Sequence, residues 1–402
     1  MPSKRRHIRS LRAAPENPPE GYYETVSARL GILQVILYMA LLAFVVLSFL
    51  GNTNLITYRN LYLFIKDLNH SIERVDVISS DTLSYPSEEE ESFALYRGGL
   101  AVAGSKTLTV FSPSGKQTLS AAISYNTPVA VGTGKYLLVY DLGGKEYTLY
   151  NSFTEIHRAT TTHPITFATV SEDGSYLIVS ASDQSNAIAE VYTSNFQIVN
   201  RFSSKSGYYT AAAFDEKGKR VALLSSTAGV TAFSTQLTLC EVGSNTAIFS
   251  EVISDTVALD CRFTESGTVL VLCTDRLLVR RPNGAPLSET GFSGAEVRAY
   301  ALDANGIAIC LSPKNPVESS YILSFDSQGR ENYRRTGVGM LTGLCRNGNV
   351  IFWMEDDTVY RMDVKKGRED AQHAPTGALR ILAINEKEVL LCTKKKATFL
   401  SF

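Results

Sequence analysis

Short runs of apolar residues, each followed by a polar turn that contains glycine, recur along most of this chain. Three clear examples are FATVSEDGSYLIVS at Phe167–Ser180, AAAFDEKGKRVALLS at Ala211–Ser225 and CRFTESGTVLVLC at Cys261–Cys273. The turn glycines recur about every forty residues, at Gly134, Gly174, Gly218, Gly267, Gly306 and Gly348. Glycine favours such a turn because it adopts a positive φ without a Cβ clash. The pattern therefore predicts a repeated β-hairpin.

A second hairpin turn recurs at a different phase of the same repeat. The stretch Val297–Val338 contains both turns, DANG and DSQG, between four strand-like segments. The second turn occurs again as FSPSGK at Phe111–Lys116, RPNG at Arg281–Gly284 and MDVKKGR at Met362–Arg368. Four strands in a unit of about forty residues are typical of one blade of a β-propeller.

The two ends of the repeat region indicate how the ring closes. Eight units can be counted, and their first strands begin near Ser92, Pro128, Pro164, Thr210, Val257, Val297, Met340 and Leu379. The last unit has only three strands, and Ile72–Ser79 (IERVDVIS), before the first unit, could supply the fourth and cover the unpaired edge. We expect an all-β fold, an eight-bladed β-propeller over residues 72–402. Seven blades are the alternative if the first or second unit is irregular.

The first fifty residues predict a membrane anchor. Gly31–Leu50 contains no charged residue, and a helix of this length spans about 30 Å, the thickness of the hydrocarbon layer. A cleaved signal peptide is the alternative, but its apolar core is usually shorter, and no small-x-small cleavage site follows Leu50. We expect a basic tail at residues 1–29, one transmembrane helix at 30–51 and a juxtamembrane helix or linker at 52–71. The apolar stripe of this last segment would face the membrane surface or the repeat domain, or the segment is a connecting helix packed on its own domain.

The basic residues on either side of this segment predict its orientation. Lys4, Arg5, Arg6, Arg9, Arg12 and Arg29 precede it, whereas Arg59 and Lys66 are the first basic residues beyond it. Because positive residues favour the cytoplasmic side, the N-terminus is expected in the cytoplasm. The expected location is thus the cell membrane, crossed once, with the membrane as a partner and the propeller extracytoplasmic.

The charge balance argues against a nucleic-acid partner. The chain has 39 Lys and Arg residues against 40 Asp and Glu residues. A duplex-binding protein needs a concentrated positive surface, and beyond the first fifty residues the one short basic cluster, Lys394–Lys396, is typical of a solvated hairpin loop. The acidic run Glu88–Glu91 is likewise interpreted as solvated, with a divalent-cation site as the weaker alternative.

All six cysteines lie inside apolar strand-like segments. They are Cys240, Cys261, Cys273, Cys310, Cys345 and Cys392. An even number outside the membrane would permit disulfides, but no CxxC or Cys/His metal spacing occurs. Reduced thiols that pack as small apolar side chains are the favoured interpretation.

The chain lacks the motifs of the common enzyme sites. Its five histidines have no partner at metal-ligand or HExxH spacing, and no GxSxG elbow occurs. SEDGS at Ser171–Ser175 resembles the aspartate boxes of glycoside-cleaving propellers at the wrong spacing, and its Asp173 is better explained as a turn former. YDLGGKEY at Tyr140–Tyr147 resembles a turn of quinone-cofactor propellers, with Tyr147 at their tryptophan position. No catalytic, cofactor-binding or metal-binding residue is assigned.

Nearly the whole chain resembles an uncharacterised family of membrane-anchored proteins from Gram-positive bacteria, a domain of unknown function. The most family-like stretches are SYPSEEEESFALYRGGLAVAG at Ser84–Gly104, GKYLLVYDLGGKEYTLYNSF at Gly134–Phe153 and CRFTESGTVLVLC at Cys261–Cys273. The resemblance implies the architecture and the location but no reaction. More distantly, the repeats are similar to quinoprotein-like and WD40-like propellers, which include scaffolds as well as enzymes.

Our hypothesis for the function is a non-catalytic scaffold that binds an unidentified protein of the cell envelope. A propeller displays the connections between blades, and the loop after the second strand of each blade, on one rim. The longer loops of this kind are predicted at Ser182–Asn186, Ser225–Thr235 and Ser312–Ser320. The candidate interaction residues are Ser182, Asp183, Gln184, Asn186, Thr227, Phe233, Lys314, Asn315 and Glu318. The alternative is a ligand-binding or hydrolytic propeller enzyme whose site lies at the central channel.

Overall fold

The computed structural model describes residues 22–51, 82–151, 154–244, 246–315 and 317–402. The chain divides into two compact units, Met1–Glu73 and Arg74–Phe402. In the first unit, helix α1 spans Tyr22–Gly51, and its described apolar side chains, such as Leu37 and Phe44, are exposed.

The structure describes only part of the predicted membrane anchor and its flanks. Among the described residues, no helix has both the length and the apolar character needed to cross a membrane. The prediction of a transmembrane helix is therefore not supported by this part of the chain. The predicted juxtamembrane helix at 52–71, and residues 1–21 of the basic tail, lie outside the described residues.

The second unit consists of eight four-stranded antiparallel sheets, the blades of a propeller. Blades 1 to 4 contain β2–β5 (Glu91–Tyr96, Gly99–Gly104, Thr107–Phe111, Gln117–Ala122), β6–β9 (Pro128–Gly132, Tyr136–Asp141, Glu146–Asn151, Thr154–Thr160), β10–β13 (Ile165–Val170, Tyr176–Ala181, Ala187–Tyr192, Ile198–Ser204) and β14–β17 (Tyr208–Phe214, Arg220–Ala228, Phe233–Glu241, Ala247–Ser254). Blades 5 to 8 contain β18–β21 (Ala258–Phe263, Val269–Cys273, Arg276–Arg280, Pro286–Gly291), β22–β25 (Glu296–Asp303, Gly306–Ser312, Ser320–Asp326, Glu331–Val338), β26–β29 (Leu341–Asn347, Val350–Glu355, Thr358–Asp363, Arg368–His373) and β30–β32 (Arg380–Ala383, Glu388–Cys392, Lys396–Ser401) with β1 (Thr82–Ser84).

The order of strands within each blade defines two faces of the ring. The first strand lines the central channel and, in blades 1 to 7, the fourth lies outermost. We call the face formed by the second-to-third-strand loops and the connections between blades the loop rim. The opposite face, formed by the first-to-second and third-to-fourth-strand turns, is the turn rim. Every predicted blade start lies within two residues of an observed first strand.

Blade 8 closes the ring with a strand from the beginning of the propeller. Strand β1 pairs antiparallel with β32, with Leu83 opposite Ala397, and supplies the outermost strand. The predicted type of closure is confirmed, but the described closing strand is Thr82–Ser84. The segment proposed for this position, Ile72–Ser79, lies outside the described residues.

The hydrophobic core is divided into eight clusters, one at each interface between adjacent blades. At the blade 4–blade 5 interface, for example, Leu237 packs in the same cluster as Phe263. At the closing interface, Leu83 and Leu390 of blade 8 pack with Leu100 of blade 1. Eight blades are therefore confirmed and the seven-bladed alternative is excluded, because each of the eight sheets has two apolar neighbours.

The turn glycines mostly have the conformation that the sequence predicts. Gly174 and Gly218, for instance, have φ values of 89° and 65°, which residues with a Cβ rarely adopt. Gly134 is the exception, since its φ is not positive. Its N–H instead donates to Glu172 Oε1 of blade 3 over 2.7 Å and so joins two neighbouring turns.

One inter-blade contact is ionic and almost completely buried. The guanidinium of Arg346, in blade 7, is 2% exposed and pairs with Asp303 Oδ1 of blade 6 over 3.1 Å. It also donates to Ser324 Oγ over 2.8 Å and to carbonyl oxygens of blade 6. Asp303 Oδ2 accepts the N–H of Gly348 over 2.8 Å, so both partners join the two blades. Burial lowers the pKa of Arg346, and the Asp303 carboxylate opposes that change.

The six cysteines are free thiols, and five of them are buried. Burial raises the pKa of Cys240 to about 11 and that of Cys273 to about 12. A thiol must ionise to react, so these cysteines are structural, apolar side chains.

Candidate interaction rim and central channel

The first predicted interaction loop connects the second and third strands of blade 3 on the loop rim. Residues 182–186 lie between β11 and β12, as expected. Ser182 Oγ accepts the N–H groups of Gln184 and Ser185 over 3.2 and 3.3 Å, which fixes a tight turn. The Asp183 side chain is almost fully exposed, and the Asn186 N–H donates to the Ser204 carbonyl. The loop is thus a short ordered turn with one projecting carboxylate.

The second predicted loop, Ser225–Thr235, is mostly strand, and the prediction is wrong here. Strands β15 and β16 pair without interruption up to Ala228 and Phe233, so the turn consists of residues 229–232. Thr227 lies opposite Ser234 in this ladder. The structure therefore has an extended hairpin in blade 4, with two nine-residue strands, where the sequence indicated a loop.

The tip of this hairpin is exposed, apolar and uncharged. Val230 is fully exposed and Phe233 is 54% exposed, and both project on the loop rim. No charged residue occurs between Arg220 and Glu241. We refer to residues 228–233 as the hairpin tip. An exposed apolar protrusion of this kind is unusual on a surface with no partner, because it contacts water at a hydrophobic cost.

The third predicted loop lies between β23 and β24 of blade 6. Asn315 organises it, since its Oδ1 accepts the N–H of Val317 and its Nδ2 donates to Glu318 Oε1 over 3.0 Å. Val317 is 89% exposed, and Lys314 precedes it on the same loop. The loop therefore presents an apolar side chain between a cationic and an anionic residue.

Exposed apolar side chains of the propeller concentrate on the loop rim. Those on the loop rim are Leu142, Tyr208, Val230, Phe233, Val317, Met340 and Leu379. On the outer strands, Ile198 and Ile248 are exposed near the turn rim and Val252 is exposed nearer the loop rim, and on an inner strand Tyr300 is partly exposed. The asymmetry distinguishes the two faces of a ring whose blades are otherwise alike.

The central channel has a cavity of about 1130 Å³ and an uneven distribution of charge. Its wall is mixed, with Asp260 and Arg262 on the first strand of blade 5 and Tyr300 on that of blade 6. The other charged residues that line it are Arg97, Lys135, Glu172, Asp215, Glu216 and Glu265. The Asp260 carboxylate accepts the N–H of Cys261 over 2.7 Å. Burial raises the pKa of Asp260 to about 6, against the opposing effects of that N–H and of Arg262. Burial and the Asp260 charge raise the pKa of Tyr300.

The chemistry available in the channel is limited. A carboxylate with a raised pKa can bind a cation or exchange a proton, but the channel wall contains no histidine. In the described parts of the chain, no group of three or more His, Cys, Asp or Glu side chains is placed to hold a metal ion. Asp260 is the residue that the sequence analysis missed. Its signal was a carboxylate inside an apolar inner strand, ALDCRF.

The two comparisons with catalytic propellers have structural explanations. Tyr147 lies in a cluster with Tyr176 and Tyr192, whose rings stack at 4.7 Å. Asp141, in the same turn motif, accepts the N–H of Thr127 over 2.8 Å. Asp173 accepts the N–H of Ser175 over 3.0 Å, which is the role of a turn former.

The acidic run before blade 1 is not simply solvated, contrary to the prediction. Glu88 accepts hydrogen bonds from the Ser105 hydroxyl, the Lys106 N–H and the Thr107 hydroxyl, so it caps a loop of blade 1. These bonds lower the pKa of Glu88 although its burial opposes the change. Glu91 accepts the N–H of Glu88 over 2.8 Å.

The eight four-stranded sheets define the class of the protein, an eight-bladed β-propeller. Several solved structures are similar to this fold over most of the chain. BamB from Moraxella catarrhalis is 9% identical with a TM-score of 0.54, over 80% of this chain and 98% of that chain. The C-terminal WD40 domain of Sif2 is 9% identical with a TM-score of 0.56, over 80% and 98%. Sqt1 of Chaetomium thermophilum, bound to the N-terminus of the ribosomal protein L10, is 13% identical with a TM-score of 0.57, over 80% and 98%. At these identities the likeness shows the fold alone.

Sequence comparison identifies the family. The chain belongs to the family of unknown function DUF5711, which matches residues 69–401. A comparison with curated proteins finds no match. The resemblance to a domain of unknown function and to WD40-like propellers is thereby confirmed.

Proposed function

We propose that this protein is a non-catalytic interaction scaffold that binds a partner protein through its loop rim. The observation that carries the proposal is the concentration of exposed apolar side chains there, with the hairpin tip as the most prominent feature. Apolar and aromatic side chains at the centre of an interface supply most of the binding energy. The structure of Sqt1 bound to the N-terminus of a ribosomal protein supports the idea that such a ring can hold a segment of another protein.

The hairpin tip and the blade 6 loop are the proposed contact elements. Burying Val230 and Phe233 would each contribute about 1.5–3 kcal/mol, enough for a specific contact once a few neighbours take part. Thr227 belongs to the strand that supports the tip, and it contributes to the proposed surface through that support.

The scaffold proposal can be tested by site-specific crosslinking in cells. A photo-crosslinking residue at Val230 or Val317 probes the loop rim, and one at Ile198 or Ile248 is a matched control on exposed apolar positions near the turn rim. We expect discrete protein adducts from the first pair that the control pair does not give. The substitution Phe233→Ser should weaken the Val230 adduct. Equal adducts from both rims, or none from the loop rim, would contradict the proposal.

We also propose that the N-terminal helix anchors the protein in the cell membrane, with the propeller outside the cytoplasm and with an envelope protein as its partner. The proposal is supported by the uncharged stretch Gly31–Leu50, by the continuous helix α1 and by its exposed apolar side chains. Basic residues before this stretch favour a cytoplasmic N-terminus.

Two experiments test the anchor and its orientation separately. The double substitution Leu37→Arg and Leu41→Arg should release the protein from membranes at alkaline pH, because arginine is unfavourable in the hydrocarbon layer. For orientation, a membrane-impermeant maleimide should label Gln184→Cys but not Ser3→Cys in intact cells. The reverse labelling would show that the orientation is wrong.

A second candidate function, ligand binding or hydrolysis in the central channel, is favoured by Asp260, Arg262 and Tyr300. These groups lie on neighbouring inner strands, within a channel wall that carries several other charged residues. Calorimetric titration with small amines and carboxylates tests it. Binding that Asp260→Asn abolishes would support a channel site, whereas unchanged or absent binding would argue against it.

A further inference from the structure

A second cavity of this propeller lies at the outer part of the blade 3–blade 4 interface, near the loop rim. It has a volume of about 310 Å³, at the lower end of the range for small-molecule sites. Strand β13 of blade 3 and the connection Ser204–Gly207 form one wall, and the face of the extended blade 4 hairpin forms the other. We call this cavity the hydroxyl groove.

The geometry of the hydroxyl groove depends on the close approach of the two walls. The N–H of Gly207 donates to Ser204 Oγ over 3.1 Å, and Ser204 Oγ lies 3.4 Å from Ser225 Oγ on the opposite wall. A Cβ added at Gly207 would lie 2.4 Å from Thr227 Oγ1, which real Cβ atoms do not allow. Glycine therefore lets the connection lie directly against the hairpin, and the groove is a built feature of the interface.

The lining of the hydroxyl groove is rich in hydrogen-bonding groups and has one charge. Six lining residues carry a hydroxyl group, Ser203, Ser204, Ser206, Tyr209, Ser225 and Thr238, and Gln236 adds an amide. Its one charged lining residue is Lys205, and no carboxylate lines it. Lys205 forms no ion pair with any residue in the described ranges.

A lining with one lysine, several hydroxyl groups and no carboxylate favours one chemical class of ligand. A cation would meet Lys205 and find no negative partner, and a purely apolar ligand would make no hydrogen bond to Lys205 or to the exposed hydroxyl groups of Ser203 and Ser206. An anion that also carries hydroxyl groups satisfies both the lysine and the hydroxyl wall. The apolar floor, with Phe202, Tyr209 and Leu223, suits the carbon face of a sugar ring.

We propose that the hydroxyl groove binds an anionic sugar, that is, a saccharide unit that carries a phosphate or a carboxylate group. Lys205 pairs with the anionic group, and the serine and threonine hydroxyls with Gln236 bind the ring hydroxyls. This site is separate from the protein-binding surface proposed above, because it lies beside the hairpin and does not use its tip.

Calorimetric titration of the full-length protein with defined sugars tests the proposal. The probes are glucose 6-phosphate and glucuronate as phosphate and carboxylate arms, glucose as the neutral control and glucosamine as the cationic control. We expect either anionic sugar, or both, to bind at least tenfold more tightly than glucose, and the affinity to fall with added salt. If only one of the two anionic sugars binds tightly, its phosphate or carboxylate is the group that the groove recognises.

Substitutions locate the site. Lys205→Gln should weaken binding of the anionic sugar about tenfold or more, since a charge-assisted hydrogen bond of about 1.5–3 kcal/mol is lost. Lys145→Gln, at an exposed lysine in the β7–β8 connection of the loop rim, is the matched control and should leave binding unchanged. Bound ligand should also protect Lys205, but not Lys145, from acylation as read by mass spectrometry. Equal binding of glucose, no binding of either anionic sugar at millimolar concentration, or unchanged binding in Lys205→Gln would overturn the proposal.

Discussion

The buried ion pair between blades 6 and 7 allows a quantitative test of how the ring is held together. Substituting Arg346 by alanine removes the guanidinium that pairs with Asp303 and donates to Ser324 Oγ. It leaves the Asp303 carboxylate, three carbonyl oxygens of blade 6 and the hydroxyl without that donor. The substitution also opens a cavity at the inner end of the interface.

The expected loss of stability follows from the burial of the pair. Removing one partner of a buried ion pair costs about 3–5 kcal/mol, because an uncompensated charge remains in a medium of low polarity. The Asp303 side chain is 19% exposed, so water reduces part of this cost. We therefore expect Arg346→Ala to lower the free energy of unfolding by about 3 kcal/mol.

The assay uses the single tryptophan of the chain as its probe. Trp353 is fully buried in blade 7, next to the interface that the substitution weakens. Urea unfolding followed by Trp353 fluorescence gives the free energy of unfolding from the midpoint and the slope.

A second arginine variant separates the effect of burying an ion pair from the effect of removing a positive charge. Arg298 is also an inner-strand arginine near this interface, and it pairs with Glu296 over 3.2 Å, but both side chains are more than half exposed. Arg298→Ala should cost at most about 1 kcal/mol, since exposed ion pairs contribute little. A loss below about 1 kcal/mol for Arg346→Ala, or equal losses for both variants, would refute the argument from burial.

Three further predictions concern the channel, the closing strand and the glycine contacts. Because burial raises the folded-state pKa of Asp260 to about 6, above its unfolded value, its contribution to stability is greatest at low pH and falls as pH rises through 6. Asp260→Asn should thus flatten the pH dependence of urea unfolding between pH 4 and 7 and be more stable at pH 7; an unchanged profile would contradict this. Leu83→Ala should lower the free energy of unfolding by about 2–4 kcal/mol in the same assay, because Leu83 is buried. Thr82→Ala, at an exposed position of the same strand, should lower it little. Equal losses in the two variants would contradict the role of β1 in closing the ring. Gly132→Ala should lower the free energy of unfolding by about 1–3 kcal/mol, because its Cβ would lie 2.0 Å from a blade 1 carbonyl oxygen. Gly291→Ala is the control, since a Cβ there has free space. Equal melting temperatures of the two variants would show that the blades can separate to admit a methyl group.

The propeller itself could be predicted because each blade repeats the same local signals. Apolar alternation placed the strands, and a glycine marked each hairpin, so the predicted start at Pro164 precedes the observed first strand by one residue. The start at Thr210 was two residues late because the strand begins with Tyr208, which is exposed on the rim.

The blade 4 hairpin could not be predicted by the same signals. The stretch SSTAGVTAFST is small and polar and has no apolar alternation, which is typical of a loop. Its strands are held by the ladder between β15 and β16, a property of the pairing that no single segment shows. The same limit applies to both candidate ligand sites. Asp260 and Tyr300 line the channel together, and Lys205 shares its groove with the blade 4 hydroxyls, only because separate blades come together in the fold.

The closing strand has a mechanical consequence. Any force on the chain before residue 82 reaches the propeller through β1, which has three residues and three paired positions in β32. The inner and middle strands of the other blades have five to nine residues, so β1 has the fewest hydrogen bonds to release. Tension on the N-terminal side would therefore peel blade 8 before any other blade and expose the edge of β32. Under tension, the ring would therefore open first at the pairing between β1 and β32.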